Sequence, residues 1–529
     1  MWPPSRWSSR LAIVLVPSIV LCAHAQGSAQ APQTHVTTGA LQGMRSGATG
    51  SESAFLGIPY AAPPLGDLRW RPPQPPAPWP GTRAATQYGP ACPQLPAKWL
   101  PYPTWKEDCL YLNIWTPQIL EESRLPVIVY FHGGSNQAGY SHLTPLGPAL
   151  SPLGIVVVTA NYRLGPLGFL ALPALTAESP HHSSGNYGLL DQIAALRWVR
   201  DNISHFGGDS ERVTVMGQSA GAVDICLLMT APQAQGLFQR AILESGDCQA
   251  TVTEDIRAPI SDNGISDAGE GTGKRLIADL GIADTPAALR QLRTIPVSAI
   301  LSASSHDGTI HYGAIVDGWV IPNQPTRIFE EGRQARVPVL AGSNADEATV
   351  FASGPATVSE YKQHLREDIG PYIAKELETW PVSSDADVPR QYLRLQADIF
   401  AYGAWSAGRA TTRLGQSAWL YRFTWKQCGR ARGLGAYHGE ELAFLSNTFP
   451  ANWGTCSGER AFGVLLRQYW ANFAKTGDPN GVGLPGWPAY SLRADRIEEL
   501  GQRIQSAPAS PNLRRIEDLM NAILAGATR

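Results

Sequence analysis

Three things are scarce in this sequence of 529 residues: an excess of charge of either sign, metal-binding cysteine spacings, and long apolar runs. Its 42 Lys and Arg against 44 Asp and Glu leave a formal net charge of −2. No basic stripe able to neutralise a phosphate backbone forms, which argues against a nucleic-acid partner. No Cys-x-x-Cys occurs, and His181-His182 lie in a Ser/Pro-rich stretch, so no zinc or other metal site is implied. There is no internal repeat and no long linker at which to divide the chain. The apolar run Leu11 to Cys22 falls well short of the ~20 residues a spanning helix needs. Preceded by Arg6 and Arg10 and followed by Ala23-His24-Ala25, it reads as a signal peptide over residues 1–25, with the mature chain beginning near Gln26. The expected location is therefore secreted or periplasmic. Cysteines number 7, and removal of Cys22 leaves an even set in an oxidising compartment, where disulfides are expected.

What is present is a globular composition, 43% hydrophobic, with 43 prolines and 52 glycines marking many turns. The densest Pro stretch, Arg71 to Pro80, is expected to run extended over the surface. Pro126 to Phe131 (PVIVYF) and Ile155 to Ala160 (IVVVTA) are short, β-branched and nearly continuous, as strands buried on both faces of a parallel sheet are. Leu189 to Val199 carries apolar residues at helical spacing, and after the turn Phe206-Gly207-Gly208-Asp209 another strand is predicted at Arg212 to Met216. Further strands are predicted at Ala241 to Leu243, Val337 to Ala341 and Trp419 to Phe423. Strand and helix in alternation predict an α/β protein, a mostly parallel sheet with helices on both faces and long insertions over the strand ends.

The chemistry is concentrated at Val213 to Val223, a predicted strand running through Gly217-Gln218-Ser219-Ala220-Gly221 into a helix. A serine at such a turn takes a strained backbone and projects Oγ from the sheet edge, while the flanking glycines let neighbouring elements approach. The pentapeptide alone also fits a glycine-rich helix entry with a capping serine; its place between strand and helix favours Ser219 as a nucleophile. A serine hydroxyl needs a base and donors for the developing oxyanion. Directly after the strand Pro126 to Phe131 stands His132-Gly133-Gly134-Ser135, so Gly134, Ser135 and, from the helix start, Ala220 are the expected N–H donors.

Taken in order, these motifs resemble the type-B carboxylesterase family, which includes the cholinesterases. The resemblance extends over nearly the whole mature chain through Phe55 to Tyr60, Leu68-Arg69-Trp70, Glu107 to Asn113, Asn161-Tyr162-Arg163, Phe206 to Asp209, Tyr469 to Ala474 and Thr476 to Pro479. It implies the α/β-hydrolase fold, one catalytic domain over 26–529, ester hydrolysis of small to medium substrates, and no cofactor. Gly342 to Glu347 resembles the family's acid loop, which makes Glu347 the acid rather than its neighbour Asp346. Tyr437-His438-Gly439-Glu440-Glu441 resembles the histidine loop, which selects His438 as base among 11 histidines. The resemblance further implies a disulfide between Cys92 and Cys109, ion pairs of Arg69 with Glu107 and of Arg163 with Asp398, and a buried Ser245 that helps orient the acid.

Five positions depart from the common pattern. Ser135 replaces the third glycine of the oxyanion loop, with its N–H still available. Gln218 stands where relatives often carry Glu and is expected to point away from the nucleophile as a structural residue. Asn136 and Gln137 replace an aromatic region, and Asp224 a small residue; either they make the pocket polar or they hydrogen-bond one another. Cys428 and Cys456 bracket His438 and, if paired, would close the loop carrying the base; a bridge between Cys226 and Cys248 would not conflict with it, and the sequence leaves the pairing of these four open. Two other readings of the fold are a lipase, which needs a large apolar lid, and a non-catalytic binding protein, which the presence of Ser219, His438 and the oxyanion glycines opposes.

Overall fold

The computed structural model describes residues 30–47, 50–97, 100–249, 255, 269–285, 287–305, 312–351, 354–369, 378–426, 433–449 and 458–526. The leader reading and the pair Cys428–Cys456 lie outside them.

From residue 32 on, an 11-stranded sheet organises the chain. Its strands are β1 (Met44–Ser46), β2 (Glu52–Pro59), β3 (Tyr111–Thr116), β4 (Leu125–Phe131), β5 (Val156–Ala160), β6 (Gly208–Gln218), β7 (Arg240–Glu244), β8 (Val339–Asn344), β9 (Ala418–Phe423), β10 (Arg496–Leu500) and β11 (Ile504–Pro508). They lie in the order β1-β2-β3-β5-β4-β6-β7-β8-β9-β10-β11. Every pairing from β5 through β10 is parallel, and the pairings at the two ends of the sheet are antiparallel. A smaller sheet of three strands, Gln33–Val36, Gly39–Gln42 and Thr82–Ala84, is separate from it. The stretch from Arg71 to Pro80 has no helix or strand and is mostly exposed.

Alternate residues of each central strand enter different cores, which is why those strands read as unbroken apolar runs. Val127, Val129 and Phe131 of β4 join one core, with α1 (Tyr187–Asn202), α2 (Ala220–Thr230) and the apolar face of α3 (Val388–Arg413). Ile128 and Tyr130 join the other, against Leu466, Tyr469, Trp470 and Phe473 of α4 (Glu459–Thr476).

The predicted strands and helix are present with shifts of a residue or two at most ends, except that β6 is extended backwards from Arg212 to Gly208. The order of strands places the chemistry. β4 and β6 are neighbours, and the chain leaves β4 toward β5 on one side and β6 toward β7 on the other, so a switch point lies between them, where ligands of open α/β sheets bind at the carboxyl ends of the strands. The loop after β4 and the turn after β6 are the two predicted halves of the site.

Candidate active site

Ser219 occupies the position between β6 and α2 with φ 56° and ψ −129°, a backbone that a non-glycine residue adopts only when its surroundings force it. The surroundings do so by close approach. A Cβ on Gly217 would lie 2.5 Å from the carbonyl carbon of Gly221, and one on Gly133 would lie 2.6 Å from the Gln218 carbonyl oxygen and 2.8 Å from Ser219 Cβ. Both flanks of the turn therefore need hydrogen in place of a side chain. The Ser219 N–H donates to the Glu244 carbonyl on β7 at 2.8 Å, and its own carbonyl accepts from Ala222 and Val223 N–H at 2.8 and 3.0 Å. That leaves Ala220 N–H among the unpaired donors at the start of α2, where the helix dipole favours negative charge.

The loop after β4 carries Gly134 at φ 117°, Ser135 at 55° and Asn136 at 57°. The Gly134 carbonyl accepts from Gln137 and Ala138 N–H at 2.9 and 3.0 Å, which turns the loop back on itself. Among the described residues no backbone carbonyl accepts from the N–H of Gly134 or Ser135. His132, at the head of this loop, is buried; burial pushes its pKa down to about 4, so the ring is neutral.

Glu347 and His438 are brought together. Asn344, the last residue of β8, donates its N–H to Glu347 Oε1 at 2.6 Å, and Glu347 Oε2 faces His438 Nδ1 at 2.6 Å. The acid is fully buried and the imidazole nearly so. Burial pushes the His438 pKa down, but the charge and hydrogen bond of Glu347, with Glu441 beyond, outweigh it and hold the pKa above the ordinary histidine value. Asp346 turns the other way: its Oδ2 accepts from Ala436 N–H at 2.9 Å, and its own N–H donates to the Ala436 carbonyl. Of the two adjacent carboxylates, one faces the base and the other braces the loop that carries it.

Two expectations need correction. Gln218 does not point away: its Nε2 lies 3.1 Å from His438 Nε2. With the ring proton held on Nδ1 by Glu347, Nε2 is a lone pair, and the Gln218 amide donates to it. Among the described residues no hydrogen bond joins Ser219 Oγ to His438; it is Gln218, the residue before the nucleophile, that meets the base. Arg163 pairs not with Asp398 but with Asp191 of α1, through Nε and Nη2 at 2.7 Å each. Asp191 lies on the helix packed beside the end of β5, whereas Asp398 on α3 accepts from Trp380 and Asn512.

The remaining readings fare differently. Arg69 forks onto Glu107 at 2.5 and 2.8 Å, and Cys92–Cys109 and Cys226–Cys248 are disulfides. Asn136 Nδ2 donates to Asp224 at 2.9 Å, which decides between the two readings of those residues, while Gln137 Nε2 donates to the Tyr312 carbonyl. Ser245 is buried at φ 50°, but its hydroxyl has no partner among the described residues and orients Glu347 through no hydrogen bond.

Sequence reasoning missed a group of buried carboxyls behind the acid. Glu441 lies in the first turn of the helix after His438, and Asn344 donates to it and to the Tyr437 carbonyl, stitching the acid loop to the histidine loop. Burial, aided by the charge of Glu347, pushes Glu441 up to about 7. Glu244, buried at the end of β7, accepts from Trp470 Nε1 at 2.9 Å and is also pushed up by burial. Glu441 was visible three residues after the histidine, but nothing in its spacing marked it as buried. Among the described residues no cluster of ligands suited to a metal ion is found.

The family model described as the carboxylesterase family matches residues 30–516. A curated relative, fumonisin B1 esterase of Sphingopyxis macrogoltabida, is 36% identical, with 95% of this chain and 94% of that protein covered. Carboxylesterase 5A of Canis lupus familiaris is 32% identical over 92% of this chain and 90% of its own. Among solved structures, a PNB esterase superposes with a TM-score of 0.78 at 30% identity, covering 92% of this chain and 100% of its own.

Proposed function

Because the chain belongs to the carboxylesterase family and is a serine carboxylic-ester hydrolase, we propose that Ser219, His438 and Glu347 carry its chemistry by two-step acyl transfer. The observation that supports this most directly is the left-handed Ser219 turn beside a buried Glu347–His438 pair. Ser219 Oγ attacks the ester carbonyl carbon as His438 Nε2 takes the hydroxyl proton. The carbonyl oxygen gains the electron pair and is met by the N–H groups of Gly134, Ser135 and Ala220. Glu347 keeps the other ring proton on Nδ1 and stabilises the imidazolium. On collapse the C–O bond to the alcohol breaks, and His438 gives its proton to the leaving oxygen. Water then repeats the sequence on the acyl-enzyme with the same base. For the first step Gln218 must yield Nε2 to the serine, a small rotation of one side chain; catalytic hydrogen bonds are often absent in the unliganded state.

The domain is proposed to run over 26–529 and the chain to be exported after loss of residues 1–25. The disulfides fit an oxidising compartment, and no helix among the described residues is long and apolar enough to cross a membrane. Intact mass of the exported protein should correspond to a start near Gln26; retention of the leader would refute this. Fumonisin B1 is the first candidate ester, since a relative takes its name from it.

The test is Ser219→Ala. A fluorophosphonate should label Ser219 in the wild-type protein, and the folded variant should lose labelling and retain no more than about a ten-thousandth of the turnover. Wild-type-like ester hydrolysis by the variant would end this reading.

A further inference from the structure

Asp224 lies on α2, little more than one turn beyond Ser219, and is completely buried. Among the described residues no cationic side chain is bonded to it. Its two oxygens are held instead by neutral amides from two different elements: Asn136 Nδ2 at 2.9 Å from the loop after β4, and Gln192 Nε2 at 2.6 Å from α1. A carboxylate without a countercharge is an expensive group to bury, and a buried one in contact with a functional loop calls for a physical reason.

The reason lies in what Asn136 is attached to. Ser135 and Asn136 are consecutive non-glycine residues in the left-handed region, a conformation that side chains disfavour and that persists only where the surroundings fix it. The loop has further anchors: the Asn136 carbonyl accepts from Gly165 N–H at 2.6 Å, and Gln137 reaches the Tyr312 carbonyl. Those anchors hold the loop to segments that carry none of the proposed donors. The Asn136–Asp224 bond alone among these runs to α2, the helix whose first N–H is that of Ala220.

We infer that Asp224 is a positioning residue for the oxyanion hole: by accepting from Asn136 it ties the loop carrying Gly134 and Ser135 to the helix carrying Ala220, and so sets the separation of the donors on either side of the oxyanion. This rests on the proposed roles of Ser219 and of those three N–H groups. Hydrogen bonding, not charge, does the work. Among the described residues Asn136 Oδ1 and Gln192 Oε1 are both buried without partners. In Asp224→Asn the new amide can still accept from Asn136 and, once the Gln192 amide turns over, donate to Gln192 Oε1.

The experiment uses the full chain with p-nitrophenyl butyrate as substrate and a trifluoromethyl ketone, which forms a tetrahedral oxyanion adduct with serine, as inhibitor. Asp224→Ala removes the clamp from the helix side. Asn136→Gly removes it from the loop side and tolerates the left-handed backbone, so it remains informative should Asp224→Ala fail to fold. Loss of a whole oxyanion donor costs about 10²–10³ in turnover. Loosening two donors is expected to lower kcat by roughly 10- to 100-fold and weaken the ketone by a similar factor, with KM within about threefold of wild type. Asp224→Asn should stay within about threefold of wild type in all three. Unchanged kcat and ketone affinity in folded Asn136→Gly, or equal damage from Asp224→Asn and Asp224→Ala, would overturn the inference. If Ser219→Ala is inactive while the clamp variants are unimpaired, only the clamp is wrong; if Ser219→Ala is active, the underlying reading falls with it.

Discussion

Replacing Glu347 by Gln changes one atom, and the structure says in advance which way the new amide must face. Glu347 Oε1 accepts from the backbone N–H of Asn344 at 2.6 Å, and Oε2 faces His438 Nδ1 at 2.6 Å. The backbone donor cannot be turned round, so the glutamine oxygen is held at Asn344 and its NH₂ is pointed at His438. An NH₂ there demands a lone pair on Nδ1, which moves the ring proton to Nε2, the nitrogen that has to accept from Ser219. The variant thus selects the wrong tautomer and also removes the charge that stabilises imidazolium. A charge pair at about 4 Å and an effective dielectric near 20 is worth about 4 kcal/mol. The same exchange in the best-studied serine protease costs about 10⁴ in kcat, or about 5.5 kcal/mol. We therefore expect single-turnover acylation by Glu347→Gln to fall by about 10³–10⁴ with circular dichroism unchanged. Asp346→Asn should lose less than about tenfold, because the new side chain keeps an oxygen for Ala436 N–H. If Asp346→Asn proves the more damaging of the two, or if Glu347→Gln stays within tenfold of wild type, the assignment of the acid fails.

Gln218→Glu places an anion where the amide now lies 3.1 Å from His438 Nε2. An anion favours imidazolium, so the acid limb of the kcat/KM profile should move to higher pH than in wild type; an unmoved limb would mean that the side chain does not face the base in solution. Asp224→Asn offers a stability test: burial pushes the Asp224 carboxyl up to about 7 from the ordinary 3.8, so the folded state keeps a proton that the unfolded chain releases across that window. Wild-type stability is thereby eroded as pH rises through it. The Tm of the variant relative to wild type should consequently be higher at pH 8 than at pH 5, and an equal difference at both would show that the carboxyl does not titrate in the fold.

The sheet was legible where burial on both faces leaves a long β-branched run, as in β4 and β5. It was not read in β1, β10 and β11, which are short or half-exposed at or next to the edges of the sheet, nor in the buried β2 and β3, whose residues were read only as family motifs. Ser219 announced itself through local constraint, since the turn needs its glycines within two residues. Glu347 and His438 did not. Each sits in a loop whose meaning comes from strands far away in sequence, and only family resemblance picked them out. The erroneous pairing of Arg163 has the same origin: resemblance carried over the arginine, but its partner is decided by which helix packs beside the end of β5. Gln218 was misread for a different reason. The expectation was drawn from the turn at Ser219, but alternation along β6 puts Gln218 on the face of Met216, whose core also holds Ala436 and Phe444 on either side of the histidine.

The departures at 136, 218 and 224 looked unrelated in sequence, and in space they form two contacts around one turn. Gln218 meets the base, while Asn136 and Asp224 meet each other with Gln192 as a third member. The second set is all or nothing. An aspartate at 224 without its two amides would bury an unsatisfied charge at a cost of several kcal/mol. An Asn136 without Asp224 would leave a buried NH₂ unpaired at about 1–3 kcal/mol and lose its hold on a left-handed backbone. Each change alone therefore carries a cost in stability, whereas asparagine at 224 keeps a hydrogen bond to Asn136. That constraint ties the composition of the oxyanion loop to the interior of the helix behind the nucleophile. A redesign placing an aromatic residue at 136 would therefore leave the carboxyl at 224 short of one amide donor unless that carboxyl were removed in the same step.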